Sequence, residues 1–330
     1  MKKITTVCLA CVMMFALVAC NKESSTTKEN TKKETVTITT LNANKEQIEL
    51  DVPYNPQRVA VMDLAALDIL DNIGVGDRVV GVSKGSSIAY LQSYVNNEEL
   101  LNLGTIKEVS LEKVMEANPD VIFIGGRLAS QYDELSKIAP VVFLATDTEK
   151  GVVESTKENA TTIASIFGKE DTVKNLFTDY DARIEKLQAI AKDQTAFVGM
   201  LNAGGFNVLG NDGRCSLIGV EVGFENVGLG AQSDEGKSNI TSTHGNETSF
   251  EYIVRLQPDY IFVMNRDEAI GTEGATPAKE VIENELVQTT DAYKNNRIVY
   301  LEHSNIWYTA EGGIRALDYM LSDLESALLP

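Results

Sequence analysis

Two stretches of the chain repeat one order of apolar and polar positions. "VSLEKVMEANPDVIFIGGR" (109–127) and "TSFEYIVRLQPDYIFVMNR" (248–266) align without a gap. Each reads Ser, a large apolar residue, Glu, a turn or two of helix, Pro-Asp, an apolar β-rich run, and Arg. Ser110 and Ser249 predict helix N-caps, and Glu112 and Glu251 fall in the first turn, where the helix dipole favours a negative charge. Pro119 and Pro258 stop each helix. "DVIFIGG" and "DYIFVMN" are near-continuous apolar runs, the pattern of parallel strands covered on both faces. Arg127 and Arg266 then sit just past the C-terminal ends of their strands, the edge at which open α/β sheets bind ligands.

The interval between the two units is too long for a solenoid period and predicts two lobes built on one plan. Further strands are expected at "RVAVMD" (58–63), "DRVVGVS" (77–83), "PVVFLAT" (140–146), "TAFVGML" (195–201) and "RIVYLEH" (297–303). Between the lobes, Val173, Leu176, Phe177, Tyr180, Ile184, Leu187 and Ile190 form a helical stripe. The predicted organisation is an N-terminal α/β lobe at 45–156, one long connecting helix at 157–193, and a C-terminal α/β lobe at 194–330. A rigid connector of this kind places the ligand in the cleft between lobes, with modest closure.

Ahead of the lobes the pattern changes. Lys2 and Lys3 precede a short apolar run from Val7 to Val18. The run falls short of the ~20 residues of a spanning helix and reads as a secretory signal over 1–19. It closes on "LVAC", with Cys20 placed as in the lipobox of bacterial lipoproteins, where that cysteine is diacylated and becomes the mature N-terminus. The polar stretch after it predicts a flexible tether over 20–44. The expected location is outside the cell membrane and anchored to it by lipid, on the cell surface or in a periplasm according to the envelope. After processing Cys215 is the one thiol inside the folded part, which excludes an internal disulfide or a cysteine metal cluster. The formal net charge of −19 argues against nucleic acid as a partner.

Lipobox, paired lobes, connecting helix and "S-φ-E…PD-φ-IF" units resemble the helical-backbone (class III) substrate-binding proteins of ABC importers, which serve ferric siderophores, haem and cobalamin. The resemblance covers residues 45–330. "IGGR" (124–127), "GRCS" (213–216), "THG" (243–245), "MNRDEAIG" (264–271) and "WYTAEGG" (307–313) are similar to the branch that binds ferric catecholate siderophores. It implies that Arg127, Arg214 and Arg266 form a basic floor for the siderophore. It implies that His244 and Tyr308 bind the metal directly, and that Glu112 and Glu251, one at each lobe tip, dock on the ABC permease, which works with its ATPase. No intrinsic cofactor is implied; ferric iron arrives as its siderophore complex.

Elementary chemistry agrees with that assignment. Ferric iron is a hard cation suited to phenolate oxygen, and imidazole is an acceptable further ligand. A siderophore with two catechols supplies four donors and leaves two positions for a histidine and a tyrosine. The complex is anionic, and guanidinium groups remain charged and offer a planar fork to oxygen. Other readings stay open at this level. His244 could cap a loop, Tyr308 could pack the cleft wall, and His303 is a rival ligand. Haem also accepts axial His or Tyr, although three arginines exceed what two propionates require. Bare zinc or manganese would want more than the two histidines present. An enzyme is disfavoured by the lack of a nucleophile elbow, a zinc-helix motif or a phosphate loop, and an adhesin would leave the paired arginines without a purpose.

Overall fold

The computed structural model describes residues 34–147, 150–230 and 245–329. It opens with an antiparallel hairpin, β1 (Thr35–Leu41) and β2 (Gln47–Pro53), registered from Thr35 opposite Pro53 to Leu41 opposite Gln47. The tether expected through residue 44 is therefore too long by ten residues. The run "TVTITT" alternates, burying Ile38 and Thr40 on one face, and the Thr40 hydroxyl bonds both the N–H and the C=O of Phe143. The hairpin belongs to the first lobe.

That lobe is a parallel sheet of β3 (Val59–Met62), β4 (Val79–Val82), β5 (Leu101–Asn102), β6 (Val121–Ile124) and β7 (Val141–Phe143), in the order β5-β4-β3-β6-β7. Every residue of β3 and β6 is buried. Val59, Val61, Val121 and Phe123 pack on one face, while Ala60, Met62, Ile122 and Ile124 pack on the other. The second lobe contains β8 (Thr195–Asn202), β9 (Gly205–Val208), β10 (Glu225–Asn226), β11 (Asn246–Glu247), β12 (Tyr260–Asn265) and β13 (Ile298–Tyr300). Its order is β11-β9-β8-β12-β13, with β10 beside β8. Here β9 and β11 run antiparallel to their neighbours, which the repeat did not predict. A two-residue turn makes this possible: Ala203 and Gly204 both have positive φ, the geometry of a tight hairpin.

Both repeated units fold alike. The Ser110 and Ser249 hydroxyls accept from the N–H groups of Lys113 and Tyr252 at the starts of the helices Leu111–Ala117 and Phe250–Leu256. Asn118 and Gln257 close those helices in the left-handed conformation, with φ 44° and 45°. The aspartate that follows each proline ties down the start of the lobe's central strand. Asp120 accepts from the N–H groups of Gln57 and Arg58, and Asp259 accepts from the N–H and hydroxyl of Thr195.

The expected connector at 157–193 is two helices, Val152–Phe167 and Glu170–Ala191. Gly168 breaks them at φ 64°, a conformation that needs no Cβ. The second helix buries Val173, Phe177, Tyr180, Ile184 and Leu187 of the predicted stripe and leaves Leu176 and Ile190 half-buried at its margins. One hydrophobic core runs from Val61 and Phe123 through this stripe to Val198 and Phe262. The lobes thus share packed interior, which resists their independent movement.

Candidate functional site

Between the lobes lies a cavity of about 1130 Å³. Its walls are the loops that leave the C-terminal ends of β3, β4 and β6 on one side and of β12 and β13 on the other. Arg127, Arg214, Arg266 and Tyr308 all line it. An inner chamber of about 280 Å³ shares Asp63, Arg127, Arg214 and Tyr308 with the main cavity.

Tyr308 is the centre of the floor. It stands on the short helix Ser304–Thr309, held from beneath by Trp307, whose fully buried indole N–H donates to Asp323 at 2.9 Å. The guanidinium of Arg214 lies 4.3 Å from the centre of the Tyr308 ring, and that of Arg266 lies 5.5 Å away. Such cation–ring contacts contribute about 0.5–2 kcal/mol each. Arg214 Nε also donates to the Tyr308 carbonyl at 3.2 Å, and Arg266 Nε donates to the Tyr308 hydroxyl oxygen at 3.0 Å. Arg266 Nη1 donates to Asn202 Oδ1 at 3.0 Å. Burial pushes the Arg214 pKa down, and the nearby charge of Arg127 pushes the same way. An anion would relieve both effects.

Arg127 comes from the other lobe, on the 3₁₀ turn Gly126–Gln131 that leaves β6, and it is exposed. Below it, Asp63 caps the helix Leu64–Asn72 by accepting from the Ala66 N–H. Burial raises the Asp63 pKa, and the Ala66 bond and Arg127 oppose that rise. Glu311 faces the inner chamber with its Oε1 buried and without a hydrogen-bond partner among the described residues. Burial pushes its carboxyl up to about 8 despite the opposing charge of Arg214.

Sequence reasoning missed a further stretch of the first-lobe wall. Ser83, Lys84, Gly85, Ser86 and Ser87 line the cavity past the end of β4, and Lys107 joins them from the next loop. Lys84 is oriented by donating to the Asn97 carbonyl at 2.7 Å. The signal was present: "SKGSS" stands past a strand end as Arg127 does, with Gly85 at φ 102°.

Glu112 and Glu251 do not line the cavity; both are exposed in the first turns of their helices. His303 is not a cavity residue either. Its Nδ1 lies 2.6 Å from Asp323 Oδ1, and its ring rests on Tyr319. Glu302, His303 and Asp323 bring ligand-type atoms within 4.8 Å of one another. Both Asp323 oxygens are already engaged, by the His303 ring, the His303 N–H and Trp307. His244 and Cys20 lie outside the described residues.

The chain is 36% identical to the petrobactin-binding protein YclQ of Bacillus subtilis (strain 168), over 99% of each chain. The crystal structure of YclQ matches with a TM-score of 0.78 and 34% identity, covering 90% of this chain and 100% of that one. The periplasmic catecholate-siderophore binding protein VctP from Vibrio cholerae matches at 0.77 and 31%, over 88% and 100% of the two chains. The siderophore-binding protein BauB, bound to a complex of two acinetobactin molecules and ferric iron, matches at 0.75 and 26%, over 89% and 99%. The family model described as periplasmic binding protein spans residues 59–304, from the first strand of the first parallel sheet to the start of the Tyr308 helix. The match covers most of both lobes and the cleft between them, and this chain belongs to the periplasmic binding protein family.

Proposed function

We propose that the protein is the substrate-binding component of an ABC importer and takes a ferric catecholate siderophore into the cleft for delivery to the permease. One observation carries the reading. Arg214 and Arg266 pack on Tyr308, and Arg127 of the other lobe lines the same cavity of about 1130 Å³, inside a chain of net charge −19. Concentrating positive charge in a partly desolvated pocket suits an anion that presents several catecholate oxygens. YclQ and VctP, the relatives named for petrobactin and for catecholate siderophores, support the same ligand class.

Within that reading, Arg127, Arg214 and Arg266 hold the catecholate oxygens and Tyr308 stacks on or ligates the complex. His244 with Tyr308 completes the iron coordination when the siderophore brings four donors. Glu112 and Glu251 meet the permease, and Cys20 carries the lipid that keeps the protein on the outer face of the membrane. The family's role is binding, and no catalytic step is assigned.

The test is a titration of the mature protein, followed by quenching of Trp307, with ferric catecholates of four and six donors, a ferric hydroxamate and haem. Saturable quenching by the catecholates at low concentration is expected. A Soret band on adding haem, with no response to either catecholate, would replace the ligand by haem.

A further inference from the structure

Two helices at the lobe boundary begin at glycines and take their caps from across it. The helix Val152–Phe167 packs on the first lobe and starts at Gly151. Its cap is Glu221 of the second lobe, whose Oε1 accepts from the Val153 N–H at 2.9 Å. The C-terminal helix Ile314–Leu328 starts at Gly313. Its cap is Asp68 of the first lobe, whose Oδ1 accepts from the Arg315 N–H and Oδ2 from the Ala316 N–H, both at 2.9 Å. Tyr90 and Asn72 hold that carboxylate in place at 2.7 Å each.

The glycines are required by this approach. A Cβ on Gly151 would lie 2.6 Å from Glu221 Oε1, and one on Gly313 would lie 2.3 Å from Asp68 Oδ2. Each carboxylate therefore reads a helix end at a distance that any side chain would prevent. A local cap needs no such exchange, since a serine or aspartate at the N-cap position serves the same N–H groups.

Each cap leads to one half of the arginine–tyrosine stack. Glu221 follows the short helix Ser216–Gly219, which begins just after Arg214. Backbone bonds from Val220 to Ser216 and from Val222 to Leu217 make this one tight turn. Asp68 holds the C-terminal helix, whose Asp323 holds Trp307 and the N–H of His303 on the helix bearing Tyr308. Arg183 of the connecting helix grips the same C-terminal helix at Asp318 and Glu325.

We infer that Asp68 and Glu221 are positioning residues of the ligand site: a reciprocal pair of cross-lobe caps that sets the cleft opening. They thereby fix the separation of Arg127 on one lobe from Arg214 and Tyr308 on the other. The affinity consequence rests on the proposed function, whereas the opening itself does not.

Spin labels at Met115→Cys and Lys279→Cys, exposed sites on opposite lobes, report the opening by pulsed dipolar distance measurement on the mature, ligand-free protein. Cys215 is buried and stays unlabelled. The parent should give one narrow distance distribution. Asp68→Ala, Glu221→Ala and the double variant should broaden or shift it by a few ångströms, the double most. Asp68→Asn and Glu221→Gln, which keep an acceptor, should lie between. Ferric catecholate affinity should fall about tenfold or more in the double variant, as the binding-ready arrangement becomes a minor population. Where an alanine variant does not fold, Asp68→Asn and Glu221→Gln loosen the same caps less severely and are read the same way. Unchanged distributions in folded variants would reduce the two acids to ordinary helix caps and overturn the inference. If the parent binds no ferric catecholate, the ligand assignment fails while the distance result still decides this one.

Discussion

The two lobes begin from the same local plan and end with different duties. Each has a serine-capped helix, a left-handed closing residue, an aspartate that pins the central strand, and an arginine past the following strand. The first lobe extends its sheet with parallel β4 and β5, and these supply the serine and lysine wall. The second replaces them with antiparallel β9 and β11 and brings Arg214 and Tyr308 to the cleft. The equivalent arginines inherit these surroundings. Arg266 is tied to Asn202 and to the Tyr308 hydroxyl, whereas Arg127 is exposed on its turn. A repeated motif thus positions a backbone atom; the partners that neighbouring strands bring decide how rigid the side chain is.

The two carboxyls of the inner chamber offer the largest test of this difference. Asp63 in the first lobe has a capped N–H and Arg127 beside it, while Glu311 in the second has an oxygen with no partner among the described residues. The folded-state pKa of Glu311 is pushed up to about 8 from 4.5. Between those values the folded state holds a proton that the unfolded chain has lost, so stability falls as pH rises and levels off above about 8. Over that window the loss should reach roughly 3–5 kcal/mol. Glu311→Gln should flatten the slope in denaturant titrations at pH 5, 7 and 9. An unchanged slope would mean that Glu311 ionises normally.

Next comes the arginine pair. Arg266→Ala should weaken ferric catecholate binding about a hundredfold, because it removes a charge and also releases Tyr308. Arg127→Ala should cost about tenfold, near the low end of a charged hydrogen bond at ~1.5–3 kcal/mol. Equal losses, measured by fluorescence titration, would show that pre-organisation in the second lobe adds nothing.

Tyr308→Phe keeps the ring between the arginines and deletes the hydroxyl. A four-donor complex should weaken about tenfold with a shifted charge-transfer band, and a six-donor complex should change little. Similar losses for both with an unmoved band would leave Tyr308 as a stacking residue. His244→Ala tests the partner position in the same way.

The smallest effect on binding is expected at the lobe tips. Each helix runs back along the strand after it, so Glu112 and Glu251 lie at the sheet edge on which the cleft opens, yet neither lines it. Glu112→Ala with Glu251→Ala should leave affinity unchanged and abolish uptake through the cognate importer. Loss of affinity would place these carboxylates in the cleft.

The amino-acid order by itself determined the elements whose causes are local. The serine caps, the proline stops, the central strands and the stripe Val173–Leu187 follow from propensity and period over a few residues, and all were legible. So were three arginines and a tyrosine as cleft residues, through strand ends and motif resemblance. Tertiary structure alone decided what depends on partners distant in the chain. The hairpin at Thr35 is held by Phe143, and Gly168 divides the connector at a single backbone angle. Arg266 finds Tyr308 across 42 residues, and Asp68 finds Arg315 across 247. A glycine at 151 or 313 looks like a helix start without a cap; only the folded chain supplies the acid from the other lobe that makes its missing side chain necessary.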